Sequence, residues 1–147
     1  MSSHAELRAR AAATYNSAAD SYDASANTFW ERFGRSTISR LELSPGMHVL
    51  DVCAGTGASA IPAAEAVGSQ GRVVAVDVAD ALLALLKRKA DARGLRQIEV
   101  RSQDLLALDS AREQFDAVVC VFGIFFLADM VEGARHLSHR RRLGGRS

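Results

Sequence analysis

Val49-Leu50-Asp51-Val52-Cys53-Ala54-Gly55-Thr56-Gly57-Ala58 decides the fold. Three apolar residues surround one carboxylate, and a turn of small residues then opens into the alanine-rich run from Ala58 to Val67. This pattern predicts a buried strand, a tight loop and a helix start, which together make half of a βαβ ligand site. Gly55 and Gly57 let the backbone turn sharply and let a ligand lie against bare main chain, with free helix N–H groups pointing outward.

Glycines alone do not choose between ligands. Gly55-Thr56-Gly57-Ala58-Ser59-Ala60 also satisfies the looser dinucleotide pattern, whose last position can be Ala. Three carboxylates separate the alternatives. Asp51 lies inside the strand four positions before Gly55, where a pyrophosphate would gain nothing from a negative charge. Asp77 ends the run Arg72-Val73-Val74-Ala75-Val76, where an acid can accept both hydroxyls of a ribose. Asp104 follows a predicted third strand, Ile98-Glu99-Val100, and can accept from an adenine amino group. A ligand with a cation, a ribose and an adenine but no phosphate uses all three acids. An NAD(P)-binding oxidoreductase fragment, the least favoured alternative, leaves Asp51 and Asp104 without a role.

The order of these stretches resembles the class I S-adenosylmethionine-dependent methyltransferases. The matching segments are VLDVCAGTG from Val49, VVAVDVADALL from Val73, SQDLLAL from Ser102 and FDAVVCVFGIFFLAD from Phe115. With the leading YNSAADSYD from Tyr15, they look most like the branch that includes the ubiquinone and menaquinone biosynthesis C-methyltransferases. The likeness runs from about residue 12 to residue 132, and the sequence of motifs is more specific than any one of them. It implies S-adenosyl-L-methionine as cofactor and methyl transfer to a small-molecule acceptor, with an inactive or binding-only module as the alternative. It carries over Asp51, Gly55, Gly57, Asp77, Asp104 and Leu105 as donor-binding positions. Cys53, Ala54, Val78 and Phe122, in the same loop and strand ends, complete the candidate set. Cys53 stands where many members have Gly or Ala.

Composition agrees with one domain. The chain has 147 residues, of which 48% are hydrophobic and 24% charged, enough for a single core and too few for two. No apolar run is long enough to span a bilayer and no charged-then-apolar leader is present, so the expectation is a soluble, cytoplasmic protein. The net charge of +1 conceals an asymmetry: residues 133–147 carry five arginines and no acid, leaving −4 on the rest. A mildly acidic body gives no nucleic-acid surface. Two cysteines make no disulfide framework, and burial preference predicts buried thiols rather than a redox pair.

The predicted architecture is an α/β, Rossmann-like, mostly parallel sheet. Residues 1–45 form an N-terminal helical cap, 46–132 the S-adenosylmethionine-binding core and 133–147 a basic, disordered or truncated tail. The cap holds a helix over 5–19 and a second over about Thr28 to Leu41, where Trp30, Phe33, Thr37 and Leu41 recur at helical spacing as a packing face. The resemblance places such helices over the donor, making Tyr15, Tyr22 and Trp30 candidate pocket residues. Asp80 is expected to cap a helix with Leu82, Leu83, Leu85 and Leu86 facing the sheet and Lys87, Arg88 and Lys89 facing water.

Right-handed crossovers give strand order 3-2-1-4, with the ligand crevice between strands 1 and 4. Phe122, Gly123 and Ile124 then line the side nearest the transferable methyl. His136 and His139 lack a further ligand for a metal. The apolar pattern fades before the family's fifth strand, predicting a truncated or frameshifted chain. Its fourth strand would be left at the sheet edge, available for homo-oligomer pairing.

Overall fold

The computed structural model describes residues 3–17, 28–104, 115–121 and 141–146. Tyr22, Leu105, Phe122, Gly123, Ile124, His136 and His139 lie outside them. Helices α1 (His4–Ser17) and α2 (Thr28–Leu41) precede β1 (His48–Val52), α3 (Ala60–Val67), β2 (Arg72–Asp77) and α4 (Asp80–Ala92). Strands β3 (Ile98–Ser102), β4 (Phe115–Val119) and β5 (Arg141–Arg146) follow.

The sheet order is β3-β2-β1-β4-β5, every neighbour pair parallel. The predicted 3-2-1-4 arrangement is therefore present, with β1 central because its run of Val49, Leu50 and Val52 can be buried on both faces. Val49, Val73, Ala75, Ala117 and Val119 join Ile61, Val67, Leu83 and Leu86 from the helices in one cluster. Leu50, Val52, Val74, Val76, Phe115 and Val118 form the cluster on the other side. Each fully buried leucine of this kind contributes about 1.5–3 kcal/mol.

Register brings the functional ends level. Asp51 pairs with Ala75 on β2 and with Val119 on β4, while Asp77 pairs with Ser102 on β3. All strands are parallel, so their C-terminal ends, and the loops that carry Cys53 to Gly57, Val78 and Asp104, emerge along one edge of the sheet.

Three expectations need correction. The arginine-rich end is not without structure, because Arg141–Arg146 is β5 and pairs with β4. β4 thus has a neighbour on both sides, and the free edge predicted for it is covered. The sequence hid this strand because edge pairing uses main-chain groups, which Arg and Gly supply as well as Val does. Its register is irregular: Phe115 faces Arg141 and Ala117 faces Arg146.

On α2 the buried stripe is Gly34, Ile38 and Leu41, whereas Phe29 and Phe33 are exposed and Trp30 is half-buried. The aromatic rings instead stack on each other at the helix surface, with Phe29 edge-on to Trp30 and 4.6 Å from Phe33 between centroids. Asp80, finally, is not the cap of α4. The cap position is Ala79, and the Ala81 N–H donates to Asn16 Oδ1 of α1 at 3.0 Å.

Candidate functional site

The loop after β1 is shaped by its small residues and by contacts from three elements. Cys53, Gly55 and Gly57 have φ of 56°, 56° and 96°. A Cβ on Gly57 would crowd Leu86 Cδ1 of α4, the movable end of a side chain, and the φ of 96° strains any residue with a side chain there. A Cβ on Gly55 would meet nothing within 4 Å, so the space beside that residue is open. The loop is pinned by Ala54 N–H to Val76 O at 3.1 Å and Gly57 N–H to Ala54 O at 3.0 Å. From above, α2 seats its backbone directly on it: a Cβ on Gly34 would lie 2.0 Å from Ala58 O.

Asp51 is 1% exposed. Its Oδ2 accepts from Ser59 Oγ at 2.7 Å, while Oδ1 has no hydrogen-bond partner among the described residues. Burial pushes its pKa up to about 7, with the Ser59 hydrogen bond opposing and the Asp77 charge adding. A buried acceptor with an unused oxygen is an expensive group unless something completes it. Ser59 is where α3 would be capped, but its hydroxyl makes no cap bond and turns to Asp51 instead.

Asp77 closes the loop from β2. Its Oδ2 accepts from the Gly55 N–H at 2.9 Å and its Oδ1 from the Ala79 N–H at 2.9 Å. Burial raises its pKa against the opposing hydrogen bonds from Ala79, Gly55 and Val78. Each carboxylate oxygen accepts more than one bond, so both retain capacity for ribose hydroxyls.

Asp104, 8% exposed, sits two residues past β3, and its Oδ2 is 3.5 Å from Arg8 Nη1 of α1. The same helix reaches α4 at its other end, where Asn16 Nδ2 donates to Asp80 Oδ1 at 3.0 Å. Helix α1 therefore spans the ends of β2 and β3.

The three acids of the sequence reading thus lie at the C-terminal ends of three adjacent strands, with Asp77 bonded to the glycine loop and Asp104 facing Arg8. Cys53, Ala54, Gly55, Gly57 and Val78 accompany them, whereas Leu105 and Phe122 lie outside the described residues. Arg8, Asn16, Gly34 and Ser59 were not singled out from sequence. Gly34 alone carried a signal, since a glycine inside a helix costs about 1 kcal/mol relative to Ala and so marks a close approach.

A family model described as a methyltransferase domain matches residues 49–145, the whole of the sheet from β1 to β5 apart from its first and last residues. The chain belongs to the methyltransferase domain family. Among curated relatives it is 32% identical to a demethylmenaquinone methyltransferase of Bacillus cereus over 112 residues, 76% of this chain and 47% of that protein. It is also 32% identical to the aklanonic acid methyltransferase DauC of a Streptomyces species over 132 residues, 90% of this chain and 60% of that one. The crystal structure of a SAM-dependent methyltransferase from Aquifex aeolicus superposes with a TM-score of 0.72 at 22% identity, covering 86% of this chain and 67% of that one. This methyltransferase-family chain spans about half the length of the curated relatives it matches. No described helix is long and apolar enough to cross a membrane, and no group of three or more described His, Cys, Asp or Glu residues could hold a metal ion.

Proposed function

We propose that this chain binds S-adenosyl-L-methionine over the C-terminal ends of β1 to β4 and transfers its methyl group to a small-molecule acceptor in the cytoplasm. Three carboxylates around a bare glycine loop, one of them with a buried oxygen still unpartnered, carry the proposal. The residues fit the donor. Asp77 would accept the ribose hydroxyls, Asp104 the adenine amino group beside Leu105, and Asp51 would complete its unused oxygen on the cationic end. Cys53, Ala54, Gly55 and Gly57 would give the chain of the ligand bare backbone to lie on, with Val78 beside the ribose and Phe122 toward the methyl.

When bound, the sulfonium supplies an activated methyl for in-line displacement. The protein's task is then alignment and exclusion of water, and alignment of that kind provides on the order of 7–11 kcal/mol. α1 and α2 serve it as a cap, residues 1–45 acting as one unit over the sheet from β1 to β5. Arg8 must share Asp104 with the adenine, so donor binding and the seating of α1 are coupled.

Calorimetry with S-adenosylmethionine, S-adenosylhomocysteine and NAD tests the assignment. Binding of the adenosyl compounds and not of NAD is expected, and the reverse overturns it. A turnover assay with phenols, quinols and amines then tests transfer. Donor binding without methylation of any of them would make the chain a binding-only module.

A further inference from the structure

Cys53 and Cys120 follow the C-terminal ends of β1 and β4, the strands that flank the crevice. Side chains alternate along an extended strand. Leu50 and Val52 accordingly share a face with Val118, and Val49 points to the opposite one. Continued alternation would send Cys53 to the Val49 side. Its φ of 56° breaks the pattern and returns it to the Leu50, Val52 and Val118 side, where Cys53 and Cys120 pack against one cluster. A left-handed non-glycine residue costs of order 1–3 kcal/mol and persists where its surroundings hold it. Here the result is that the Cys53 and Cys120 thiols hydrogen-bond each other. Both are half-buried, where burial preference predicts buried thiols, and neither is in a disulfide.

The covalent geometry is within reach. Asp51 pairs with Val119, so Cys53 lies one step beyond the position opposite Cys120 on the adjacent strand. With strands about 4.8 Å apart and a rise of about 3.3 Å per residue, that diagonal is roughly 5.8 Å, inside the Cα separation of roughly 4.4–6.8 Å that a disulfide spans.

We propose that Cys53 and Cys120 are a redox-modification site, oxidised by a low-molecular-weight disulfide to an intramolecular bridge that ties the glycine loop to the end of β4 and weakens donor binding. The donor half of this proposal rests on the function proposed above; the bridge itself does not. One thiol loses its proton and attacks the reagent, forming a mixed disulfide and releasing one reagent thiol. The second protein sulfur then attacks the first, forming the S–S bond and expelling the other reagent thiol. The two cysteines lose two electrons and two protons, and the reagent disulfide gains them as two thiols. The bridge would cross the floor of the crevice and fix Cys53 where the loop must accommodate a ligand. The Cys120 hydrogen bond and burial raise the Cys53 pKa, so exchange with the reagent is slow.

The test incubates the full chain with glutathione disulfide and follows intact mass, peptide maps and S-adenosylhomocysteine affinity, before and after dithiothreitol. The expected result is loss of two hydrogens, a linked Cys53–Cys120 peptide and affinity lower by about tenfold, recovered on reduction. The C120S variant should show no two-hydrogen loss. Separate glutathione adducts, or no linked peptide, would overturn the site, and a bridge that leaves affinity unchanged would overturn its effect on the donor. A reduced parent that binds no S-adenosylhomocysteine would refute the function proposed above, while the mass data would still decide the bridge.

Discussion

Asp51 occupies a place where a strand buried on both faces would ordinarily carry valine. Its folded pKa of about 7 lies above the ordinary carboxylate value of 3.8, so the stability linked to its protonation is full below about 3.8 and is lost as pH rises through about 7. Asn at this position stays neutral throughout. D51N should therefore gain stability relative to the parent between about pH 4 and about pH 7 and hold that gain above it, measured by urea unfolding of both proteins at each pH. A pH-independent difference would contradict the raised pKa. The same variant should bind S-adenosylhomocysteine about tenfold more weakly, because one charge-assisted partner is gone. D77A removes the acceptor for the ribose and both backbone clips, at Gly55 and Ala79, and should weaken binding by about tenfold or more in calorimetry. Unchanged affinity would take Asp77 out of the site. The acids were legible from sequence because strand period and loop spacing fix where strand ends fall. Their partners were not: Ser59 lies 8 residues from Asp51, and Arg8 lies 96 from Asp104.

Among the elements, α2 shows what periodicity can mislead. The aromatic residues Trp30 and Phe33 suggested the buried stripe, but the helix turns its Gly34, Ile38 and Leu41 side inward because only Gly34 permits its backbone to touch the loop at Ala58. Contact with the loop, not hydrophobicity alone, set the rotation of the helix. G34A forces a methyl group toward a backbone carbonyl that cannot move cheaply, and overpacking of this kind costs about 1–3 kcal/mol. Thermal unfolding should show the loss, and calorimetry should show weaker donor binding, since α2 would lift from the glycine loop. A variant with parental stability and affinity would show that the contact is slack. Helix α4 makes a related point. Its start looked self-capped by Asp80, whereas the acceptor comes from Asn16 on α1, and no local rule could have found a partner 65 residues away.

The whole molecule is a parallel sheet in which the core strands were readable as apolar runs and their order followed from crossover handedness. β5 was not readable, since Arg141-Arg142-Leu143-Gly144-Gly145-Arg146 has none of the β-branched or aromatic residues that mark a strand. It covers the edge of β4 all the same. Removing residues 141–147 should bare the backbone of Phe115 to Val119 and make the chain self-associate, seen as a concentration-dependent shift in sedimentation velocity that the full chain lacks. Equal behaviour of both would mean that β5 gives no protection. Donor recognition itself depends on neither edge: it depends on β1, β2 and β3 delivering Asp51, Asp77 and Asp104 to one side of the sheet. A crystal structure of the chain with S-adenosylhomocysteine tests that most directly. It should show the ribose hydroxyls on Asp77 and the adenine beside Asp104, above the loop from Cys53 to Gly57. A ligand bound away from that loop, or carboxylates turned from it, would contradict the account.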